Sequence, residues 1–335
     1  MIKLGNNDIT LKVGSTDVSA AYLGSTLVYS GGTPPTPSFD GKWLATYTGG
    51  TTSSADCASL DESIESGEIE GENLVAVEIG DCVTSIGQGA FYYYTSLTSI
   101  TIPDSVTSIG EQAFYDCHSL SSVTISSGVT SIGNSAFYNC SGLTSMTIPD
   151  SVTSIGENAF NDCYGLRNVT IGNGVTSIGE RAFYECSGLT SVTIGSSVTS
   201  IGNNAFYRCS GLTSVTIGSG VTSIDGGAFA YCSSLTSVTI PDSVEYIGTR
   251  GFYTCRGLTS VTIGNGVTSI GSSAFRFCSS LTSITCLATT PPTLSGKQWF
   301  NDTNDCPIYV PSASVSAYQS DENWSDYASR IQALP

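Results

Sequence analysis

A period of 23 residues runs through the middle of this chain and constrains it more than any other feature. One copy reads Val106-Thr-Ser-Ile109-Gly110-Glu-Gln-Ala113-Phe114-Tyr-Asp-Cys117-His-Ser-Leu120-Ser-Ser-Val123-Thr-Ile125-Ser-Ser-Gly128. Nine full copies, starting at Val83, Val106, Val129, Val152, Val175, Val198, Val221, Val244 and Val267, fill residues 83–289. A half copy precedes them (Leu74, Val77, Ile79). A degenerate one follows through Leu294, Trp299, Phe300 and Ile308-Tyr309-Val310. Fixed spacing of this length is the mark of a solenoid, in which each unit stacks only on its neighbours.

The repeat columns show what the fold demands. Phe stands in all nine copies from Phe91 to Phe275, Leu from Leu97 to Leu281, and Ile from Ile86 to Ile270. In Leu97-Thr-Ser-Ile100-Thr-Ile102 the last three residues alternate inward and outward, as a strand requires. With Val83, Ala90 and the position of Tyr94 (Cys in later copies), eight positions per coil point inward. One coil buries too few side chains to offset the ordering of its own backbone, so stacking must supply the rest. At about 4.8 Å per stacked strand, nine coils give a parallel β-sheet roughly 43 Å long.

Leu-x-x-Val-x-Ile followed by Val-x-x-Ile-Gly-x-x-Ala-Phe-x-x-Cys resembles the BspA-like leucine-rich repeats of bacterial surface proteins, across about residues 74–310. The resemblance implies a right-handed, curved leucine-rich-repeat solenoid with a role in adhesion or surface recognition, and no catalytic residues. Near the N-terminus, Val18-Ser-Ala-Ala-Tyr22-Leu23-Gly24-Ser-Thr-Leu27-Val28-Tyr29 is similar to short segments of phage and prophage structural proteins of gut bacteria.

The expected organisation has five parts. Residues 1–32 alternate apolar and polar between Gly-Ser-Thr turns and read as a small β module. Residues 33–38, with Pro34-Pro35-Thr36-Pro37, form a stiff linker. Residues 39–73 form an N-terminal cap region, 74–310 the solenoid, and 311–335 a C-terminal cap. In that last segment Tyr318, Trp324, Tyr327 and Ile331 suggest a capping helix over the end coil. Residues 1–8 lack the apolar core of a secretory signal, which suggests a trimmed leader or an export route such as phage-induced lysis.

Charge narrows the function. The 335 residues carry 28 Asp+Glu against 11 Lys+Arg, a net charge of −17, so nothing would replace the counterions of a nucleic acid. No apolar run approaches the roughly 18–20 residues that span a bilayer, so membrane insertion is not expected. The single His excludes schemes that need several.

Eight cysteines (Cys117, Cys140, Cys163, Cys186, Cys209, Cys232, Cys255, Cys278) share one column. They lie 23 residues apart with no Cys-x-x-Cys, which is not zinc-ligand spacing. Parallel side chains point alongside rather than toward one another, which argues against disulfides. A ladder of buried thiols bonded to loop backbone is the expectation, with Cys286 buried as an inward residue and Cys306 unassigned. Cys57 and Cys82 could bridge. His118 is expected to be exposed in a loop. Gly172-Asn-Gly174 and Gly264-Asn-Gly266 are turns, because the third glycine of a phosphate-binding loop is missing. With no nucleophile elbow and no carboxylate pair beyond turn and surface residues, neither enzyme activity nor a cofactor or metal is expected.

Two outward surfaces remain for a partner. The strand face is uniform, with Thr in all nine copies from Thr101 to Thr285 and Ser from Ser99 to Ser283 except Asn168. Strand propensity explains it without a ligand. The other surface lies between Phe and Cys, where Tyr fills the first slot in six of nine copies and the second slot varies. This rim (Tyr92, Tyr115, Tyr138, Tyr184, Tyr207, Arg208, Tyr231, Tyr253) has the composition of a recognition surface. The alternative is that each ring packs on its neighbour and shows its hydroxyl to water. The expected function is non-enzymatic recognition of a cell-surface protein or glycan, outside the cell, as a phage-tail or virion component. The alternatives are a bacterial cell-surface adhesin and a structural spacer, with residues 1–32 able to hold a homo-oligomer together.

Overall fold

A computed structural model describes residues 74–335 except Cys82, together with the backbone of six short strands between Leu11 and Asp56. The solenoid is built as the period requires. Each coil contributes a strand of three or four residues, such as Ser122–Ile125, whose burial alternates outward and inward. It then bends into a two-residue strand, such as Ser131–Ile132. Ten of the short strands, from Ser85–Ile86 to Thr293–Leu294, form one parallel sheet. The longer strands form a second wall, and every pairing among full coils joins positions 23 apart, for example Val123 with Ile100 and Ser108 with Ser131. A one-residue slip would turn Phe, Ile and Leu outward, which the spacing forbids.

The third wall is a turn wall rather than a strand. Each copy makes tight i→i−3 turns, such as Tyr115 N–H to the Gln112 carbonyl at 3.1 Å. Between these turns its N–H groups reach the next coil. Gln112 donates to Asn134 (2.9 Å), Phe114 to Ala136 (2.7 Å) and Asp116 to Tyr138 (2.9 Å). At the bends beside the strands the N–H groups instead donate to the preceding coil, as Thr107 does to Thr84 at 2.8 Å. The backbone is thus satisfied on three sides.

Small residues sit where coils approach most closely. A Cβ on Gly110 would lie 2.7 Å from the Gly87 carbonyl carbon, and one on Gly220 only 1.9 Å from the Ser196 carbonyl oxygen. Threonine hydroxyls add two further ladders at the bends. Thr130 Oγ1 donates to the Thr107 carbonyl at 3.0 Å and Thr213 Oγ1 to the Thr190 carbonyl at 3.0 Å, each repeated along the stack.

The core is one continuous cluster from Leu74 to Ile331. Its spine is a file of fully buried Phe rings, Phe91 to Phe275, stacked 5.0–5.3 Å apart, which Phe300 of the degenerate copy continues at 5.7 Å. The wall of longer strands is extended at both ends by strands from outside the nine copies, which moves its edges away from the repeats. Lys42–Tyr47 pairs antiparallel with Leu74–Glu78 and with Thr52–Asp56. Two further antiparallel pairs, Leu11–Val13 with Thr16–Val18 and Ala21–Leu23 with Thr26–Val28, lie within residues 1–32.

The C-terminal segment carries the short helical cap expected of it. Only Val315–Ser320 is α-helical, Ser325–Arg330 is a 3₁₀ turn, and Ile331–Ala333 returns as a strand parallel to Ile308–Val310. The apolar spacing explains it, because the six residues from Tyr318 to Trp324 put them on different faces of a helix. Asp321 Oδ1 also accepts the Asn323 and Trp324 N–H groups (2.9 and 3.3 Å), holding a turn there. The cap still works: Tyr318 and Trp324 are fully buried, and Trp324 Nε1 donates to the Pro292 carbonyl at 2.8 Å.

Candidate interaction rim

The rim is the outer side of the turn wall, and its backbone has an unusual constraint. Twice per coil the chain adopts positive φ. The first position is that of Gln112 (55°), Asn158 (54°) and Arg250 (58°), and the second that of Asp116 (59°), Asn139 (53°), Arg208 (56°), Tyr231 (63°) and Thr254 (60°). Of these, Arg208 and Arg250 are exposed, whereas Asp116 and Thr254 are buried. Left-handed backbone suits Asn, Asp and Gly, and is costly for a β-branched residue such as Thr254. The varying second slot therefore carries a backbone requirement as well as a choice of side chain.

The first slot places tyrosine rings in files. Tyr92 stacks on Tyr115 at 4.9 Å and Tyr115 on Tyr138 at 4.6 Å, with Tyr115 and Tyr138 only 4° from parallel. Asn161, buried in the next slot, interrupts the file; its Nδ2 donates to Asn158 Oδ1 at 2.8 Å. A second file starts with Tyr184 stacked on Tyr207 at 4.9 Å. In the seventh copy Ala230 takes the tyrosine slot. Tyr231, from the second slot, leans across and lies edge-on to both Tyr207 (5.2 Å) and Tyr253 (5.5 Å). Seven of the eight expected rim residues lie in these two files. The eighth, Arg208, lies over the Tyr207 and Tyr231 rings at 5.5 and 5.6 Å while its Nη1 bonds Glu185 at 3.0 Å.

Most of these rings are half-buried, since each covers part of the next, while Tyr92 and Tyr93 are exposed. Several of their hydroxyls are held above the ordinary tyrosine range. Burial raises Tyr115, and burial reinforced by Asp162 pushes Tyr138 up to about 12. A hydrogen bond to Asp116 raises Tyr93. The wall therefore offers flat aromatic faces with neutral hydroxyls at their edges.

The cysteine column lies directly behind the rim. Each thiol donates to the Phe carbonyl one coil earlier, from Cys117 Sγ to Phe91 O (3.1 Å) to Cys278 Sγ to Phe252 O (3.2 Å). All ten described cysteines are free thiols and buried. Burial pushes Cys117 up to about 12 and raises Cys140, Cys163, Cys186, Cys209, Cys232 and Cys255 as well. Tyr94 holds the column's first place, edge-on to Phe91 at 5.5 Å. Cys286 is buried against the Tyr318 hydroxyl at 3.3 Å, and Cys306 lies 3.6 Å from Arg330 Nη2. The suggested Cys57–Cys82 bridge lies outside the described residues. His118 is exposed, its Nδ1 3.1 Å from the Asn139 carbonyl oxygen.

Sequence reasoning missed the two depressions beside Tyr231. One, of about 500 Å³, is lined by residues including Tyr164, Arg208, Tyr231 and Arg256. The other, of about 360 Å³, is lined by residues including Tyr207, Ala230, Tyr231, Arg250 and Tyr253. The departures of one copy from the others, Gly226-Gly227 and Ala230, were the signal that could have located the second. Among the described residues no three His, Cys, Asp or Glu side chains gather as metal ligands, and no helix is long and apolar enough to cross a membrane.

No curated protein matches the chain. Solved structures do. A leucine rich cell surface protein from Faecalibacterium prausnitzii A2-165 is 31% identical, with 78% of each chain covered and a TM-score of 0.45. The T. pallidum Leucine Rich Repeat protein is 29% identical over 48% of this chain and 78% of its own, with a TM-score of 0.45. A leucine-rich repeat protein from Bacteroides ovatus is 24% identical over 78% and 84%, with a TM-score of 0.39. A family model described as "BspA type Leucine rich repeat region" matches residues 62–190 and 199–316. The chain belongs to the BspA-type leucine-rich repeat proteins, a family commonly found as surface or adhesion proteins.

Proposed function

We propose that this protein is a non-enzymatic recognition module at a bacterial cell surface, and that it engages a surface protein or glycan through its tyrosine rim. One observation carries the reading. Parallel aromatic rings, spaced about 5 Å apart and still partly open to solvent, occur on one wall, while the strand face repeats the same Ser and Thr in nearly every coil. Recognition surfaces favour tyrosine because a rigid, amphipathic ring gives contact area at low entropic cost. Family membership supports the surface location over the phage-tail one, and supports binding over catalysis. Residues 1–32, with their two antiparallel strand pairs, are proposed as the segment that holds copies together.

The test replaces Tyr115, Tyr138, Tyr184 and Tyr207 with Ser and follows saturable binding of labelled full-length protein to a panel of bacterial and epithelial cells. Binding should fall at least tenfold while urea unfolding stays cooperative. Undiminished binding by the folded variant would remove the rim from consideration, whereas no binding of the parent chain to any cell would leave the structural-spacer reading.

A further inference from the structure

We infer that the two depressions flanking Tyr231 form a binding site for a carboxylate-bearing saccharide, with Arg250 and Arg256 as its cations and Tyr207, Tyr231 and Tyr253 as its stacking faces. The inference rests on the rim reading above and names a ligand class for part of that rim.

The first support is shape. Ala230 removes a ring from the tyrosine file and Gly226-Gly227 remove the side chains just upstream, a combination found in this copy alone among the nine, and all three residues line the smaller depression. Tyr207 and Tyr253 are left two coils apart with Tyr231 edge-on between them. Tyr231 lines both depressions.

The second support is charge. In a chain of net charge −17, the rim changes sign along its length. Coils two to four present Glu111, Asp116, Glu157 and Asp162 on the turn wall with no Arg or Lys, whereas coils six to nine present Arg208, Arg250, Arg256 and Arg276. Arg208 is bonded to Glu185 at 3.0 Å, and Arg276 to Asp302 at 3.4 Å. Arg250 and Arg256 have no carboxylate partner among the described residues, and each lines one of the depressions, whose carboxylates, Glu180 beside Arg250 and Glu185 beside Arg256, are paired instead with Arg181 and Arg208. Arg250 lies 5.5 Å from the centre of the Tyr253 ring, so a carboxylate meeting it would sit beside an aromatic face. A guanidinium suits a carboxylate through paired N–H donors.

The third support separates a sugar from an acidic peptide. Both depressions are partly open to solvent, with polar and aromatic side chains side by side in their lining. The larger is edged by the hydroxyls of Ser187, Ser210 and Ser233 and by Glu185. Aromatic faces, hydroxyls and a carboxylate acceptor are what a pyranose with several hydroxyls engages, while the arginines select for its acid group.

The experiment uses the full chain and polymers of known composition. Polygalacturonate and polysialic acid are the acidic arms, and methyl-esterified polygalacturonate, dextran and poly-glutamate are the comparators. At least tenfold tighter binding to one or both acidic saccharides than to the ester and dextran is expected, falling as salt rises. The R250Q/R256Q variant should lose tenfold or more. Ala230→Tyr, which refills the notch without changing charge, should do the same; Tyr92-Tyr93 shows that adjacent tyrosines fit these slots, ring centres 4.6 Å apart. Equal affinity for acid and ester, no binding to either acidic polymer, or full binding by R250Q/R256Q would overturn the assignment. So would poly-glutamate binding as tightly as the saccharides. Cell binding that survives R250Q/R256Q but disappears in the four-tyrosine variant would leave the rim as the recognition surface and refute the acidic saccharide alone.

Discussion

Raising the pH should dismantle this fold over a narrow range, and the thiol ladder sets the size of the effect. In the unfolded chain a cysteine ionises near its ordinary value, about 8.5. In the folded coil, burial holds Cys117 up to about 12 and keeps six further ladder thiols above the ordinary value. Between those limits the folded state binds more protons than the unfolded one, so stability is intact below the unfolded value and falls as pH rises. Each such thiol removes about 1.4 kcal/mol per pH unit. Seven acting together withdraw roughly 10 kcal/mol per unit, comparable with the 5–15 kcal/mol that holds a typical domain folded. The assay is urea unfolding by circular dichroism at half-unit steps from pH 7.5 to 10.5, with a strong reductant present. Cooperative unfolding should move to near-zero urea by about pH 10. A Cys163→Ser, Cys186→Ser, Cys209→Ser triple variant keeps a donor for each Phe carbonyl and should lose a little under half of the slope. A stability that stays level between pH 8 and 10.5, or a triple variant with the parent slope, would refute the argument.

Three further substitutions probe other parts of the coil. Phe183→Ala removes a fully buried ring stacked between Phe160 and Phe206 at 5.1 and 5.2 Å, and should cost about 3–5 kcal/mol in urea unfolding. A cost below 1 kcal/mol would mean that the spine is not what holds coils together. Thr254→Asn replaces a β-branched residue at φ 60° with one that tolerates left-handed backbone, and should stabilise by about 1 kcal/mol; a loss of stability would count against strain at this position. Gly220→Ala drives a methyl group to 1.9 Å from the Ser196 carbonyl oxygen and should cost at least about 2 kcal/mol, whereas a neutral result would show that the coils can move apart.

Most of the fold was legible because the repeat supplies its own alignment. Nine copies of Phe, Leu and Ile in fixed columns identify the core positions, and the buried file from Phe91 to Phe275 lies where those columns put it. The turn wall was less legible. Asp116, Asn139 and Asp162 in one column hinted at left-handed backbone, but Arg208, Tyr231 and Thr254 share that conformation because hydrogen bonds to the next coil impose it. Variation there reads as freedom when it is partly variation in tolerated strain. The short C-terminal helix was legible as a cap, but its end was not, because aromatic residues alone, without continuous phase, cannot fix a period. Rim stacking followed from column position, whereas the notch at Ala230 emerges only when one copy's departures are read against its neighbours in space.

The register in which every pairing among the full coils joins residues 23 apart makes the molecule a ruler. Upper and lower faces of successive coils are nearly interchangeable, so excising one unit, such as residues 152–174, brings together surfaces that already fit. Length is then free to change in steps of about 4.8 Å without redesign of the interior. Each step adds or removes a whole row of contacts for a ligand that itself repeats, so duplication or loss of a coding repeat would tune grip by avidity rather than by any change in a single contact.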